Sequence, residues 1–324
     1  MSAGPRVVAC GGGHGLAASL AALRSLTDRL TAVVTVADDG GSSGRLRAEL
    51  GALPPGDLRM ALAALAADDA WGRTWTDLVQ HRFTGIGPLA GHPIGNLLLT
   101  GLADVVGGPV PALDLLGRLL GIRGRVLPLA TEPLDIVADV TGLDPNNRLT
   151  HTEVRGQVAV ATTTGRVVDV RLEPDDAVAC PAAVEAVLDA DWLILGPGSW
   201  FTSVIPHLLV PGLAKAIEST AGRRLLALNL VPQPGETEGF SAETHLEVLA
   251  AHAPQLRFDV VLADPTSIDP AGTPALAECA AGFGAELVVR PLAGGDGSPR
   301  HDPTRLAAAF DEIFTRYRGE RPWQ

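Results

Sequence analysis

One segment near the amino terminus constrains the fold more than any other part of the chain. Residues 6–47 read RVVACGGGHGLAASLAALRSLTDRLTAVVTVADDGGSSGRLR. An apolar strand runs into a glycine cluster and an amphipathic helix, and a second apolar strand follows from Thr31 to Ala37. Two strands joined through a helix are typical of the parallel β-α-β unit. The segment therefore predicts an α/β fold with neighbouring parallel strands.

The glycine cluster after the first strand is typical of a phosphate-binding loop. A strand that enters a helix through a tight turn needs positive φ, and a side chain there would hold off a phosphate. The spacing Gly13-x-Gly15-x-x-Ala18 matches the G-x-G-x-x-G/A pattern of dinucleotide-binding folds, and Asp38 and Asp39 follow about 20 residues on. The alternative is a strand-to-helix turn that binds no ligand. The candidate ligand-binding residues here are Gly11, Gly12, Gly13, His14 and Gly15.

A second glycine-rich turn follows the second strand. Residues 38–45 read DDGGSSGR and open a helix near Ser43. Backbone N–H groups, two hydroxyls and a guanidinium suit a phosphate, while the two carboxylates suit ribose hydroxyls or a divalent cation. The alternative is a helix capped by Ser42 or Ser43, with solvated aspartates. The candidates in this loop are Asp38, Asp39, Gly41, Ser42, Ser43 and Arg45.

Polar residues at two further helix entries add candidates. A helix is expected over residues 57–67, with Asp57 at its positive end. Arg59 lies in the first turn, where a cation is unfavourable unless it faces a bound phosphate or carboxylate; the alternative is a solvated surface arginine. His92 and Asn96 stand at the glycine-bracketed entry of an apolar helix. We expect them to face the ligand cleft, although a lone histidine is more often structural.

A third loop of the same kind follows the strand from Asp191 to Leu195. Residues 196–203 read GPGSWFTS, so glycines, hydroxyls and helix N–H groups meet at the carboxyl end of a strand, where open α/β sheets bind ligands. The loop lacks the G-x-S-x-G of a nucleophile elbow, which argues against a serine hydrolase. The candidates from this half of the chain are Gly196, Gly198, Ser199 and Thr202, with Asn229 and Asp264 at later strand ends and Arg300 before the last helix.

The middle of the chain departs from the β-α alternation. Residues 110–174 contain short β-rich segments, and two of them, 154–164 and 166–172, are joined across Gly165 in a pattern typical of a hairpin. We interpret residues 110–174 as a subdomain embedded in a single domain of residues 1–324.

Composition narrows the class of protein. A net charge of −12 argues against a broad basic surface for nucleic acid. Cys10, Cys180 and Cys279 lack the spacing of a zinc site, a redox pair or a disulfide framework, which fits a reducing cytoplasm. No apolar run approaches roughly 18 residues and no signal-peptide pattern opens the chain. We therefore expect a cytoplasmic protein that neither enters a membrane nor binds nucleic acid.

Several long motifs, in order, resemble the YvcK group of the CofD-like family, whose members are called gluconeogenesis factors. The similarity covers nearly the whole chain. It is carried by GGGHGL (residues 11–16), VADDGGSSGRLR (36–47), PPGDLR (54–59), GHPIGN (91–96), GPGSWFTSVIPHLL (196–209) and PGET (234–237).

The resemblance implies a Rossmann-like, CofD-like fold: a mostly parallel sheet with helices on both faces. It also implies a bacterial protein that binds a UDP-sugar, notably UDP-N-acetylglucosamine, and supports cell shape and envelope synthesis on gluconeogenic carbon sources. The neighbouring CofD branch transfers a phosphorus-containing group with a divalent metal held by aspartates. Arg59 stands where that branch has a second acidic residue, and His14 stands where YvcK proteins have threonine.

Three functions remain as hypotheses. The first is a UDP-sugar-binding regulator that acts through a protein partner. The second is a CofD-like phospho- or nucleotidyl-group transferase in which Asp38, Asp39 or Asp57 holds Mg²⁺. The third is an NAD-dependent oxidoreductase, which the first loop alone suggests and which lacks a catalytic partner set. A Walker-type ATPase is set aside because the sequence has no G-x-x-x-x-G-K-[ST]. A homo-oligomer is left open.

Overall fold

The fold is organised around a parallel sheet and a smaller antiparallel sheet. The structure, a computed structural model, describes residues 4–269, 272–295 and 297–318. In chain order the strands are β1 (Val7–Gly11), β2 (Leu30–Val34), β3 (Arg125–Pro128), β4 (Asp135–Thr141), β5 (Thr152–Arg155), β6 (Arg166–Glu173), β7 (Trp192–Leu195), β8 (Arg223–Ala227), β9 (Val260–Ala263) and β10 (Glu286–Val289).

Helices connect most of these strands. Within the described ranges, no helix combines the length and apolar character needed to cross a bilayer. In chain order they are α1 (Gly13–Leu23), α2 (Gly41–Leu50), α3 (Gly56–Leu65), α4 (Ala70–Gln80), α5 (Ile94–Val106), α6 (Pro109–Leu120), α7 (Gln157–Ala161), α8 (Pro181–Leu188), α9 (Pro206–Leu209), α10 (Pro211–Ser219), α11 (Ala242–His252), α12 (Thr273–Gly282) and α13 (Pro303–Arg316), with a π-helical turn at Trp200–Val204.

The large sheet reverses its winding direction between β1 and β7. Its seven strands lie in the order β10-β9-β8-β7-β1-β2-β3 and all pair in parallel. The chain leaves β1 towards β2 and leaves β7 towards β8, and right-handed crossovers in opposite directions place their helices on opposite faces. This confirms the expected α/β fold. It also puts a topological switch point, where such sheets bind ligands, at the carboxyl ends of β1 and β7.

The central strands are buried on both faces because helices cover both. Every residue of β1, β7 and β9 is buried. Their continuous apolar runs, such as VVLA in β9, are typical of a parallel sheet between two helix layers. The burial fixes the strand ends, and therefore the loops that follow them, on a rigid support.

The expected hairpin over residues 154–172 is wrong. β4 is the middle strand of the small sheet and pairs antiparallel with both β5 and β6. Residues 157–161 form helix α7 instead of a strand, although their valines favour β structure. Gly156 turns the chain with a φ of 100°, and the Asp39 carboxylate accepts a hydrogen bond from the Val158 N–H at 2.9 Å. A tertiary contact at the helix start thus overrides local propensity.

Two boundaries differ from those expected from the sequence: the end of the second strand and the start of the antiparallel region. The second strand ends at Val34, which lies opposite Gly11 and Pro128, the last residues of β1 and β3. Val36 and Ala37 are buried without belonging to the sheet. In the 110–174 region, β3 pairs with β2 in the large sheet, so the antiparallel sheet begins later, at Asp135.

We predict that Asp39→Ala destabilises the protein by about 1 kcal/mol, because the first turn of α7 loses the carboxylate that accepts its N–H group. Urea unfolding measures the change. Asp77→Ala, at an exposed position on α4, is the matched control and should change the free energy of unfolding by less than about 0.5 kcal/mol. Equal effects of the two substitutions would contradict this role of Asp39.

Candidate functional site

The loops after β1 and β7 touch at the carboxyl edge of the sheet. Gly15 packs so closely on the third loop that a Cβ there would overlap the Pro197 carbonyl oxygen and lie 2.9 Å from the Gly198 Cα. Gly196 and Gly198 adopt φ values of 72° and 159°, which favour glycine. The first and third predicted loops therefore form one surface at the switch point.

The loop after β2 joins this surface through two carboxylates, Asp38 of that loop and Asp57 at the start of α3. The Gly13 N–H donates a hydrogen bond to the Asp57 carboxylate, and a Cβ on Gly12 would lie 2.5 Å from Asp57 Oδ2. A Cβ on Gly56 would lie 2.8 Å from Asp38 Oδ2. The beginning of α3 is thus wedged between the first and second loops, so all three loops meet at one edge.

A cavity of about 450 Å³ opens between the first and third loops. His14 and Arg300 line it together with the backbone of Gly15 and Gly198, and residues 230–234, LVPQP, supply a more apolar wall. The volume lies in the range of small-molecule binding pockets. This cavity brings together candidates from both ends of the chain.

His301 also lines the cavity and was not selected from the sequence. Burial lowers its pKa to about 4, so the ring is neutral at physiological pH. Its Nε2 is buried without a hydrogen-bond partner among the described residues. The only sequence signal was its place next to Arg300 before the last helix. Because Nε2 is shielded from solvent, the ring would have to turn before this nitrogen could bond to a ligand hydroxyl or amide in the cavity.

Four of the predicted residues form a buried chain of hydrogen bonds. Arg59 Nε donates to Asn96 Oδ1 at 2.8 Å, Asn96 Nδ2 donates to Ser42 Oγ at 3.0 Å, and Ser42 Oγ lies 2.7 Å from His92 Nδ1. All four side chains are buried, with Arg59 4% exposed. The surface-arginine alternative is therefore wrong. Helix capping by Ser42 is wrong too, because its hydroxyl links α2 to α5.

Asp38 and Asp39 do not act as a pair. Asp38 Oδ1 accepts from the Gly40 N–H at 2.9 Å and stays beside α3, whereas Asp39 is turned towards α7. Of the expected pair of carboxylates, Asp38 alone remains beside α3, where its charge raises the pKa of Asp57 further. Across the described ranges, no group of three or more His, Cys, Asp or Glu side chains is arranged to hold a metal ion.

The other predicted groups of the second loop serve neighbouring segments. Arg45 donates to the carbonyl oxygens of Pro88 and Ala90 at 3.0 and 2.8 Å, so it holds the loop before α5. Ser43 Oγ accepts from the first backbone N–H of α3 at 3.0 Å and does not cap α2. Gly41, with a φ of 48°, has open space where a side chain would point.

Glu236 occupies the helix start that follows the third loop. Its carboxylate accepts from the Phe201 N–H at 3.2 Å and from Thr202 Oγ1 at 2.7 Å, and Ser199 adds a further hydrogen bond. Burial raises the pKa of Glu236. Thr202 is buried and serves this carboxylate, so it does not line the cavity. The signal for Glu236 was the PGET motif, to which the sequence alone assigned no contact.

Two strand-end residues position backbone segments around the cavity. The Asn229 side chain accepts from the Gly198 N–H at 2.9 Å and donates to the Gly198 carbonyl at 2.8 Å. Asp264 Oδ2 accepts from the N–H groups of residues 292 and 293 at 2.5 and 2.8 Å. Asn229 therefore fixes the third loop, and Asp264 fixes the start of the segment that leads to Arg300.

Comparisons with known proteins assign the chain to a family. The profile of the family described as 2-phospho-L-lactate transferase CofD matches residues 7–279. The chain is 56% identical over 315 residues to the "Putative gluconeogenesis factor" of Mycobacterium tuberculosis, covering 96% of this chain and 90% of that protein. It is 36% identical over 326 residues to the "Gluconeogenesis factor" of Listeria innocua, covering 98% of each. All three loops lie within these matches.

A solved structure shares the fold. The crystal structure of a UPF0052 family protein from Bacillus halodurans superimposes with a TM-score of 0.82 at 32% sequence identity. It covers 95% of this chain and 99% of that chain. The resemblance drawn from the sequence motifs is confirmed by these comparisons, and so is the fold that it implied.

We predict that Gly15→Ala costs about 2 kcal/mol of unfolding free energy, because the added methyl group overlaps the Pro197 carbonyl and pushes the two loops apart. Gly101→Ala is the matched control. It lies within α5 with open space around the new methyl group and should stabilise the protein by about 0.5 kcal/mol. Chemical denaturation compares the two, and a neutral Gly15→Ala would show that the loops do not touch.

Asp57 makes the free energy of unfolding depend on pH, and the direction of the change follows from its pKa. Burial, followed by the charge of Asp38, raises its pKa to about 7, while the Gly13 N–H and Arg59 oppose the shift. The native state therefore keeps a proton that the unfolded chain releases near pH 4, and this contribution to stability is lost as pH rises towards 7.

Asp57→Asn should consequently gain about 2 kcal/mol of stability relative to the wild type between pH 5 and pH 8. Unfolding free energies measured across that range test it. Asp104→Asn, on the exposed side of α5, should run parallel to the wild type. Parallel curves for Asp57→Asn as well would contradict the raised pKa.

Proposed function

The chain belongs to the CofD family, and we propose that it binds a nucleotide diphosphate-sugar of the UDP-N-acetylglucosamine type where the loops after β1 and β7 meet. The single observation that carries this proposal is the contact of Gly15 with Pro197 and Gly198 beside a cavity of about 450 Å³. A glycine loop that opens a helix beside such a cavity is suited to a diphosphate, and the second glycine loop completes the cavity wall.

The first turn of α1 supplies the donors for phosphate oxygens. The helix has eleven residues, Gly12 at its N-cap position makes no side-chain capping bond, and no acidic residue lies in its first turn. The Gly13 N–H already donates to Asp57, so the N–H groups of His14 and Gly15, together with the positive dipole end, are the ones that favour a further anion. Arg300 adds a guanidinium on the cavity wall, which can meet a phosphate with two parallel hydrogen bonds.

The rest of the cavity suits the remaining parts of such a ligand. Residues 230–234 offer aliphatic and proline surface to a base or sugar ring. His14 can exchange hydrogen bonds with sugar hydroxyls or an acetamido group, and the neutral His301 leaves this part of the wall uncharged. This division into an anion-binding half and a mixed half supports a nucleotide-sugar over an inorganic anion.

The relatives named gluconeogenesis factors support a regulatory use of this binding. In this proposal the cytoplasmic protein senses the supply of an envelope precursor and passes the bound state to a protein partner. Cell shape on gluconeogenic carbon sources would then depend on the occupied form.

A second candidate is a Mg²⁺-dependent transferase of phosphorus-containing groups, as the family description suggests. The specific observation in its favour is the proximity of Asp38 to Asp57, whose pKa is raised to about 7 by burial and then by the charge of Asp38. Mg²⁺ is commonly held by one or two carboxylates plus substrate phosphates, and these two residues fit that set, whereas Asp39 does not. A bound cation would neutralise phosphate charge there.

We predict that calorimetry detects binding of UDP-N-acetylglucosamine but not of NAD or GDP, and that Arg300→Ala weakens the affinity at least about tenfold through loss of a charge-assisted contact. Arg118→Ala is the control. It removes an exposed arginine near the end of α6, on the amino edge of the sheet, and should leave binding unchanged.

No heat with UDP-N-acetylglucosamine would remove the proposal, and equal affinities for the wild type and Arg300→Ala would remove the assigned cavity. Phosphorus NMR separates the second candidate. The protein is incubated with a UDP-sugar or UTP, a phosphosugar and Mg²⁺. New phosphorus signals that are absent with Asp57→Asn would favour a transferase. An unchanged spectrum would support binding without group transfer.

A further inference from the structure

Arg59 carries a buried charge, and its terminal nitrogens make no ion pair within the described residues, although Asp57 and Asp38 lie within electrostatic reach. The residue is 4% exposed, and among the described residues its recorded hydrogen bond comes from Nε, to Asn96. Neither terminal nitrogen makes a hydrogen bond or ion pair within that part of the chain. A buried guanidinium normally has its donors paired because desolvating the charge is costly. The fork of Arg59 is therefore held ready for an anion.

Charged groups of both signs surround this fork, with Arg82 and Arg45 on one side and Asp57 and Asp38 on the other. Arg82 lies close enough to disfavour the charge on Arg59, and burial with this repulsion lowers the pKa of Arg59 to about 10. Burial lowers the pKa of His92, Arg45 and Arg82 lower it further, and Glu49 opposes the shift. Three arginines thus border one small region.

The backbone makes room for this arrangement. A Cβ on Gly95 would lie 2.9 Å from Arg59 Cδ, so a glycine at the start of α5 lets the side chain pass. The hydrogen-bonded chain from Asn96 through Ser42 to His92 then fixes the direction of Nε. Burying a polar network of this length costs desolvation free energy, and the network fixes the orientation of one guanidinium group.

This region is separate from the proposed nucleotide cavity. Gly15 faces Pro197 on the cavity side of the first loop, whereas the Gly13 N–H is directed to Asp57, which precedes Arg59 by two residues in α3. The cavity wall contains none of Arg59, Arg82 or His92. An anion at Arg59 would therefore lie across the first loop from the nucleotide.

We propose that Arg59, with Arg82 at the rim, binds the phosphate-monoester group of a second small molecule beside the nucleotide. Two guanidinium groups match a dianion, and the planar fork of Arg59 offers two parallel donors to its oxygens. Asp38 and Asp57 lie within electrostatic reach of Arg59 without forming an ion pair, so the anion is accepted on the side that faces Arg82. The subsite does not require that the nucleotide proposal is correct.

Sulfate is the probe, because it stays a dianion over the working pH range. Thermal unfolding is followed in sodium sulfate and in sodium chloride of equal ionic strength, for the wild type, Arg59→Met, Arg82→Met and Arg118→Met. We expect sulfate at tens of millimolar to raise the Tm of the wild type and Arg118→Met by about 4 °C more than that of Arg59→Met, through binding to the native state. The general salting effect of sulfate is common to all four proteins.

Arg82→Met should show an intermediate response, and because Arg82 is exposed this variant keeps the test valid if Arg59→Met fails to fold. Equal sulfate shifts in all four proteins would overturn the proposal. A sulfate response that disappears when UDP-N-acetylglucosamine is bound would overturn the claim of a second ligand. A response that depends on Arg59 without any UDP-sugar binding would support this subsite while removing the nucleotide proposal.

Discussion

The close approach of the first and third loops is the constraint on which the rest of the site depends. Parallel pairing of β1 with β7 sets the two loops side by side, but only a residue without a side chain at position 15 lets them touch. Asn229 then locks Gly198 through both of its backbone groups. The cavity is a consequence of these contacts, since its walls are the two loops together with residues 229–234 and 299–301.

Charge is distributed unevenly around this junction. On one side of the first loop lies the cavity, with Arg300 and the neutral His301. On the other side lie two coupled carboxylates and a buried guanidinium, Asp57 and Arg59 having pKa values moved towards neutral forms by burial. Strongly perturbed groups beside a cleft are characteristic of functional sites, because stability alone would favour pairing or removing them. The first loop thus separates two regions with different ligand chemistry.

Much of this arrangement could be predicted from local sequence. The spacing of Gly13 and Gly15 after an apolar strand identified the β-α-β unit and its loop, because positive φ and close approach leave a glycine signature. Contacts that join distant segments left no such signature. The valines of α7 favour a strand until Asp39, from the second loop, accepts an N–H bond at the helix start. Glu236 likewise fills a helix terminus that sequence alone assigns to a ligand. His301 stands out only once the cavity exists.

The central claim is that separate strand-end loops form one diphosphate site at the switch point of the sheet. A crystal structure of the protein soaked with UDP-N-acetylglucosamine tests it most directly. The account predicts diphosphate oxygens about 3 Å from the backbone nitrogens of His14 or Gly15 in the first turn of α1 and from the guanidinium of Arg300 on the cavity wall. A well-ordered nucleotide bound elsewhere, for example on the antiparallel sheet, with the cavity beside Gly15 empty, would contradict it.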